Sequence, residues 1–328
     1  MSSSVRVLKR PRRLKHTDEP HEGRSVSKKR PQMLEELIPD NQVAVDYINR
    51  DIHGHEDFQI LDYAREEELN VLIEGPTGPG KTMLCRAYAA SRQIPFFALN
   101  PGSAAEPSQL FGKYILQNGS MQWVDGPVTS LVRHGNAVLL LDEVNFMPPG
   151  VTSTLHPLTD DQRLVILYDH VVEHEDTDTG EQVAMAEVVK AGPKLLVVAA
   201  FNEGYRGTEE LNEAFRNRFD IAVEWGYSEE VEEELIASTT LRTIASQIRK
   251  MESQGEIETP CSTNRLQFFE RMVEDIGLDA AISNFLSSFE RSERDAIQNV
   301  FSLHRDRLWN DYEKANNRDP NKGFYVRE

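Results

Sequence analysis

The sequence predicts an α/β domain built on a parallel sheet, followed by a smaller all-helical domain. Three observations predict it. Short apolar runs recur at Asn70–Ile73, Phe96–Leu99, Ala137–Leu141, Lys194–Ala200 and Ile221–Glu224, as strands buried on both faces require. The first run leads into Gly75-Pro76-Thr77-Gly78-Pro79-Gly80-Lys81-Thr82 and then into a helical stretch over 81–92. After Tyr227 the strand signal stops and the rest reads as helices.

The chain opens with a basic segment. Residues 1–31 hold ten Lys/Arg against three Asp/Glu, a net of +7; because the whole chain carries −18, the remainder carries −25. The segment has neither a hydrophobic period nor the apolar core of a secretory signal. Residues 1–33 are therefore expected to be a disordered tail. Its KRPRR and KKRP runs favour nucleic acid, but so acidic a body repels a phosphate backbone.

Residues 34–227 form the α/β domain. Two inserts within it read as β-hairpins: Lys113–Val124, turning at Asn118-Gly119, and Leu164–Val189, turning at Asp178-Thr179-Gly180. Residues 228–315 form the helical domain. Ser228 is its first N-cap, with Glu229 and Glu230 in the first turn. Gly255, Pro260 and Gly277 separate helices expected over 229–252, 263–275, 279–288 and 290–315. Residues 316–328 are a loose tail. No run of eighteen apolar residues occurs, so no membrane helix is expected. Cys85 and Cys261 are too few for a zinc site or a disulfide framework. That predicts a reducing, cytoplasmic setting.

The chemistry lies at strand ends. Gly75–Thr82 has the spacing G-x-x-x-x-G-K-[ST] between a strand and a helix. Its glycines let backbone N–H groups turn around a phosphate, and the helix N-terminus, opening at Lys81, Thr82 and Met83, adds partial positive charge. Lys81 can reach β- and γ-phosphates, and Thr82 can ligate Mg²⁺. The strand Val138-Leu139-Leu140-Leu141 ends in Asp142-Glu143. There Asp142 can position Mg²⁺ through its water and Glu143 can polarise an attacking water. The strand Leu196–Phe201 ends in Asn202, whose amide can hold that water without competing as a base. Arg216 and Arg218 precede the last strand. Arg265 opens a helix in Ser262-Thr263-Asn264-Arg265.

With these features in this order, the chain resembles the AAA+ ATPases, specifically the MoxR-type branch that includes CbbQ, NirQ, NorQ and the gas-vesicle GvpN proteins. The resemblance covers roughly residues 35–275. It is carried beyond the generic loop by Leu110-Phe111-Gly112-Lys113-Tyr114, Gly119-Ser120-Met121-Gln122-Trp123-Val124-Asp125-Gly126-Pro127, Leu140-Leu141-Asp142-Glu143-Val144-Asn145, Leu155-His156-Pro157-Leu158-Thr159-Asp160-Asp161, Asn202-Glu203-Gly204-Tyr205-Arg206-Gly207 and Phe215-Arg216-Asn217-Arg218-Phe219.

The resemblance implies a P-loop AAA+ sheet domain with a helical lid, binding ATP and Mg²⁺ in a homo-oligomeric, hexameric ring. It implies Walker A at Gly75–Thr82, Walker B at Asp142 and Glu143, and sensor 1 at Asn202. The arginine finger falls at Arg218, with Arg216 second, and sensor 2 at Arg265. Asn100 falls where a residue restrains the catalytic glutamate. The two hairpins match inserts that face a pore or protein client, and a partner with a von Willebrand factor A domain is expected. Departures from the family pattern are Asn202-Glu203 in place of Asn-Pro, a long acidic second insert (His174-Glu175-Asp176-Thr177-Asp178) and the basic tail.

Overall fold

A computed structural model describes residues 5–7, 32–101, 106–175, 180–202 and 213–316. The chain divides into two compact units. One comprises residues up to Gly75 with Gly80–Trp225; the other comprises Pro76–Pro79 with the chain from Gly226 onward.

The first unit is built on six strands: β1 (Val5–Val7), β2 (Val71–Gly75), β3 (Phe96–Leu99), β4 (Ala137–Leu141), β5 (Leu195–Asn202) and β6 (Ile221–Glu224). Their order is β1-β6-β2-β5-β4-β3, with β2 to β6 parallel. Every residue of β4 and β5 is buried. Side chains alternate between two cores. Leu139, Leu141, Val197 and Ala199 join Leu131 and Leu155 on one face. Val138, Leu140, Val198 and Ala200 join Leu84 and Tyr88 on the other. Burying each large aliphatic side chain is worth about 1.5–3 kcal/mol, so both faces of the sheet contribute to stability.

Two details depart from the sequence reading. β5 ends at Asn202, the strand end expected from the sequence, but β2 runs past its expected end at Ile73 through Glu74 and Gly75, because Phe201 and Asn202 supply partners for both residues. Within the tail expected to be disordered, Val5–Val7 pairs antiparallel with Ile221–Val223. The outer edge of β6 offers unpaired N–H and C=O groups, and Val-Arg-Val suits a strand that satisfies them. Residues 8–31, like the expected tail at 317–328, lie outside the described residues.

Both hairpins form, Gly112–Gln117 with Ser120–Asp125 and Leu164–Glu175 with Gln182–Lys190. In the second, Glu187 pairs with Leu167 while the preceding Ala186 pairs with Val171. Tyr168, Asp169 and His170 are thereby bulged out of register, and bulges re-aim side chains. The His170 ring stacks on Trp123 of the first hairpin at 4.6 Å, and its Nδ1 lies 2.8 Å from Glu187 Oε2. Arg133 bridges Glu187 and Asp125, at 2.5 and 2.7 Å, and Trp123 Nε1 donates to Asp125 at 2.7 Å.

The second unit is helical. With α1 reserved for Lys81–Arg92 of the first unit, its helices are α2 (Glu229–Leu235), α3 (Thr239–Ser253), α4 (Thr263–Ile276), α5 (Leu278–Ser287) and α6 (Arg294–Asn316). Ile244, Ile248, Leu266, Phe269, Phe285 and Phe301 fill its core. The single helix expected over 229–252 is broken at Ile236–Ser238. Ile236 turns into the core, and Ser238 Oγ accepts from Leu241 N at 3.0 Å as a new N-cap. The Glu270 carboxylate accepts from Ala237 N (3.1 Å) and Ser238 N (2.9 Å), groups the break removes from helical pairing. Among the described residues no helix is long and apolar enough to cross a membrane. Glu270→Ala leaves both N–H groups without their acceptor. It should lower unfolding free energy by about 1–3 kcal/mol in urea titrations of the full chain.

Candidate active site

The site is assembled at the carboxyl ends of β2, β4 and β5, the edge where parallel α/β sheets bind ligands. β2 ends at Gly75, and after the loop α1 begins at Lys81 with Gly80 as N-cap. Gly80 has φ +98°, a region side chains other than glycine rarely adopt. The first-turn N–H groups of a helix have no acceptor within it, and no Asp or Glu stands in the first turn of α1. This positive pole is suited to an anion.

Lys81 is 6% exposed. Its Nζ donates to Gly75 O at 2.8 Å and to Asn202 Oδ1 at 2.6 Å. Sheet register makes this possible, because Asn202 pairs directly with Gly75. One residue on, Thr82 Oγ1 donates to Asp142 Oδ2 at 2.7 Å. Asp142 follows the last residue of β4, and its Oδ1 accepts from Glu143 N at 3.1 Å. Glu143 is exposed, with φ +48°. For a non-glycine residue that left-handed backbone is strained, of the kind that gathers at functional sites.

Asn100 follows Leu99, which pairs with Leu141, so it lies one residue beyond the sheet next to Asp142. Met83 is exposed on α1. Pro76, Thr77, Gly78 and Pro79 group with the helical unit. Arg216 forms an ion pair with Glu74, and its Nε donates at 2.9 Å. Arg218 Nη1 donates to Ala214 O, and Asn70 Nδ2 donates to Arg218 O at 2.9 Å. Burial first, then the Arg218 guanidinium, holds the His156 imidazole below its ordinary pKa, so it is neutral at pH 7. Arg265, in the helical unit, donates to Pro260 O at 2.7 Å and lies 4.8 Å over Phe289.

Two residues beside the loop were not found by sequence reasoning. Glu74 precedes Gly75 in a buried strand, a charge that needs a partner, and that signal was available. Arg50 lies 4.2 Å over the Trp225 ring, whose backbone N donates to Glu74 O at 2.6 Å. Nothing in the sequence around Arg50 marks it.

These residues fit a nucleoside triphosphate with Mg²⁺. The ammonium group and the helix pole suit phosphate oxygens, and the hydroxyl–carboxylate pair of Thr82 and Asp142 suits a hard cation that keeps much of its water. Among the described residues no group of three or more His, Cys, Asp or Glu side chains could hold a metal by itself. A cation here would depend on phosphate oxygens as further ligands.

The family described as AAA domain (dynein-related subfamily) matches residues 70–219. The chain is 32% identical over 235 residues to Protein NorQ of Paracoccus denitrificans, covering 68% of this chain and 80% of that one. It is 30% identical over 237 residues to the denitrification regulatory protein NirQ of Pseudomonas aeruginosa, covering 69% and 84%. A solved structure described as a putative ATPase from Cytophaga hutchinsonii aligns with 87% of this chain and 78% of its own, at 18% identity and a TM-score of 0.37. The fold, the Gly75–Thr82 loop and these relatives together place the chain in a family: it belongs to the MoxR-type AAA+ ATPases, in the branch of NorQ and NirQ.

Proposed function

We propose that this protein binds ATP with Mg²⁺ and hydrolyses it between protomers of a hexameric ring. Turnover remodels, activates or matures a protein client in the cytoplasm. The observation that carries the reading is the meeting of Lys81 with Asn202 beside the Thr82–Asp142 pair at one sheet edge.

Lys81 and the first turn of α1 neutralise the β- and γ-phosphates. Thr82 and Asp142 would hold Mg²⁺, and the ion would supply charge neutralisation to the triphosphate. Glu143 takes the proton of the attacking water, and Asn202 orients that water. Asn100 restrains Glu143 until a partner engages. Arg218 reaches the neighbouring protomer's γ-phosphate, with Arg216 second because Glu74 already neutralises it. Arg265 serves as the second sensor by its place at the start of α4. The hairpins are the client-facing inserts, and a von Willebrand factor A domain protein is the partner the family resemblance suggests.

The reading generates three expected outcomes. Lys81→Ala removes the loop's cation and should weaken ATP binding by about a hundredfold in calorimetry; unchanged affinity would place the nucleotide elsewhere. Glu143→Gln should bind ATP normally while turnover falls by about 10²–10⁴-fold in a phosphate-release assay. Near wild-type turnover would reduce Glu143 to a strand-end turn residue. Arg218→Ala should bind ATP yet hydrolyse it tens-fold more slowly, about 2 kcal/mol or more in the barrier. Mixing Arg218→Ala with Glu143→Gln subunits should restore activity, since some interfaces then pair an intact Glu143 with an intact Arg218. No recovery in demonstrably exchanging rings would exclude a finger acting in trans from Arg218.

A further inference from the structure

The tip of the loop has its own set of contacts within the helical unit. Tyr227 OH donates to Thr77 O at 2.8 Å. The Arg249 guanidinium lies 3.7 Å from the centre of the Tyr227 ring. Arg249 is held by two bonds to Glu232, at 2.8 and 2.6 Å, and donates through Nε to Cys261 O at 2.9 Å. Glu232 Oε1 also accepts from Thr263 Oγ1 at 2.6 Å. Ser262, next to Thr263, closes the circuit. A Cβ added to Gly78, at φ +87°, would lie 2.3 Å from Ser262 Cβ. Glu232, Ser262 and Thr263 are each 9% exposed or less, so these contacts are shielded from water.

A phosphate loop works only if its N–H groups converge on the anion. Thr77 C=O and Gly78 N–H belong to one trans peptide plane and point in opposite directions. A donor that fixes the carbonyl on one side therefore aims the N–H to the other. We infer that Tyr227 is a positioning residue for nucleotide binding: its phenol fixes the Thr77–Gly78 plane so that Gly78 N–H is presented to a phosphate. The inference rests on the reading of Gly75–Thr82 as an ATP-binding loop. Burial, above all, raises the Tyr227 pKa far above its ordinary value, so the phenol stays a donor at physiological pH. Arg249 anchors the ring, and Glu232 neutralises Arg249.

Tyr227→Phe deletes only the hydroxyl and keeps the ring that Arg249 covers. In the full chain it should weaken ATP and ADP binding by about fivefold to tenfold in calorimetry and raise KM equally. Saturated kcat should stay within about twofold, because Lys81, Thr82, Asp142 and Glu143 are untouched. The melting temperature without nucleotide should move by no more than about 4 °C. Wild-type affinity in the variant, or a fall in kcat with affinity unchanged, overturns the assignment. Lys81→Ala measured alongside separates the two claims. If Lys81→Ala loses binding and Tyr227→Phe does not, only the role of Tyr227 fails. If wild type itself binds neither nucleotide, the ATP reading fails and the role of Tyr227 with it.

Discussion

A buried ammonium group constrains this sheet. Lys81 is withdrawn from water, and an unpaired charge in that position would be strongly destabilising. Among its partners are an oxygen at the end of β2 and one at the end of β5, the latter 121 residues after Lys81. Both can be present only if β5 lies beside β2 and runs level with it to Gly75. That is the observed order and register. β4 on the other side of β5 then ends where Asp142 meets Thr82. Strand order, strand length and the placing of Asp142 are thus the ones that satisfy this lysine.

Charge is handled by the same logic elsewhere. Glu74 sits on a buried strand and is met by Arg216. In the helical unit Glu232 is met by Arg249 and Thr263. Breaking the Glu232–Arg249 pair would leave one charge buried alone, which costs more than the pair contributes. The two hairpins are tied together more loosely. A three-residue bulge turns His170 onto Trp123, and Arg133 bridges carboxylates from both hairpins. The inserts are therefore joined through side chains, although among the described residues each forms its own two-stranded sheet.

Much of the fold was legible because its signals are local. A strand buried on both faces must be apolar throughout, so Ala137–Leu141 declares itself without reference to its neighbours. The Asn118-Gly119 turn of the first hairpin carries its own conformational preference, with both residues at positive φ. Where the reading departed, the deciding partner was distant. Val5–Val7 is a strand only because β6 offers an edge. The break at Ile236–Ser238 depends on Glu270 and Asp311, more than thirty residues away. Glu74 and Gly75 extend β2 because Phe201 and Asn202 of β5 pair with them.

The candidate site divides the same way. Residue types and spacing alone marked Gly75–Thr82, Asp142–Glu143 and Asn202 as candidates, because a phosphate, a hard cation and a water would each call for particular groups at a strand end. The sequence could not show that Lys81 and Asn202 share a hydrogen bond, that Glu74 holds Arg216, or that Thr77 is gripped by Tyr227. It gave no sign of the left-handed backbone of Glu143. The sequence by itself determined which groups would stand at the ends of the strands. The tertiary structure decided which of them meet, because a hydrogen bond reaches only about 3 Å and that distance is set by strand order and register rather than by position along the chain.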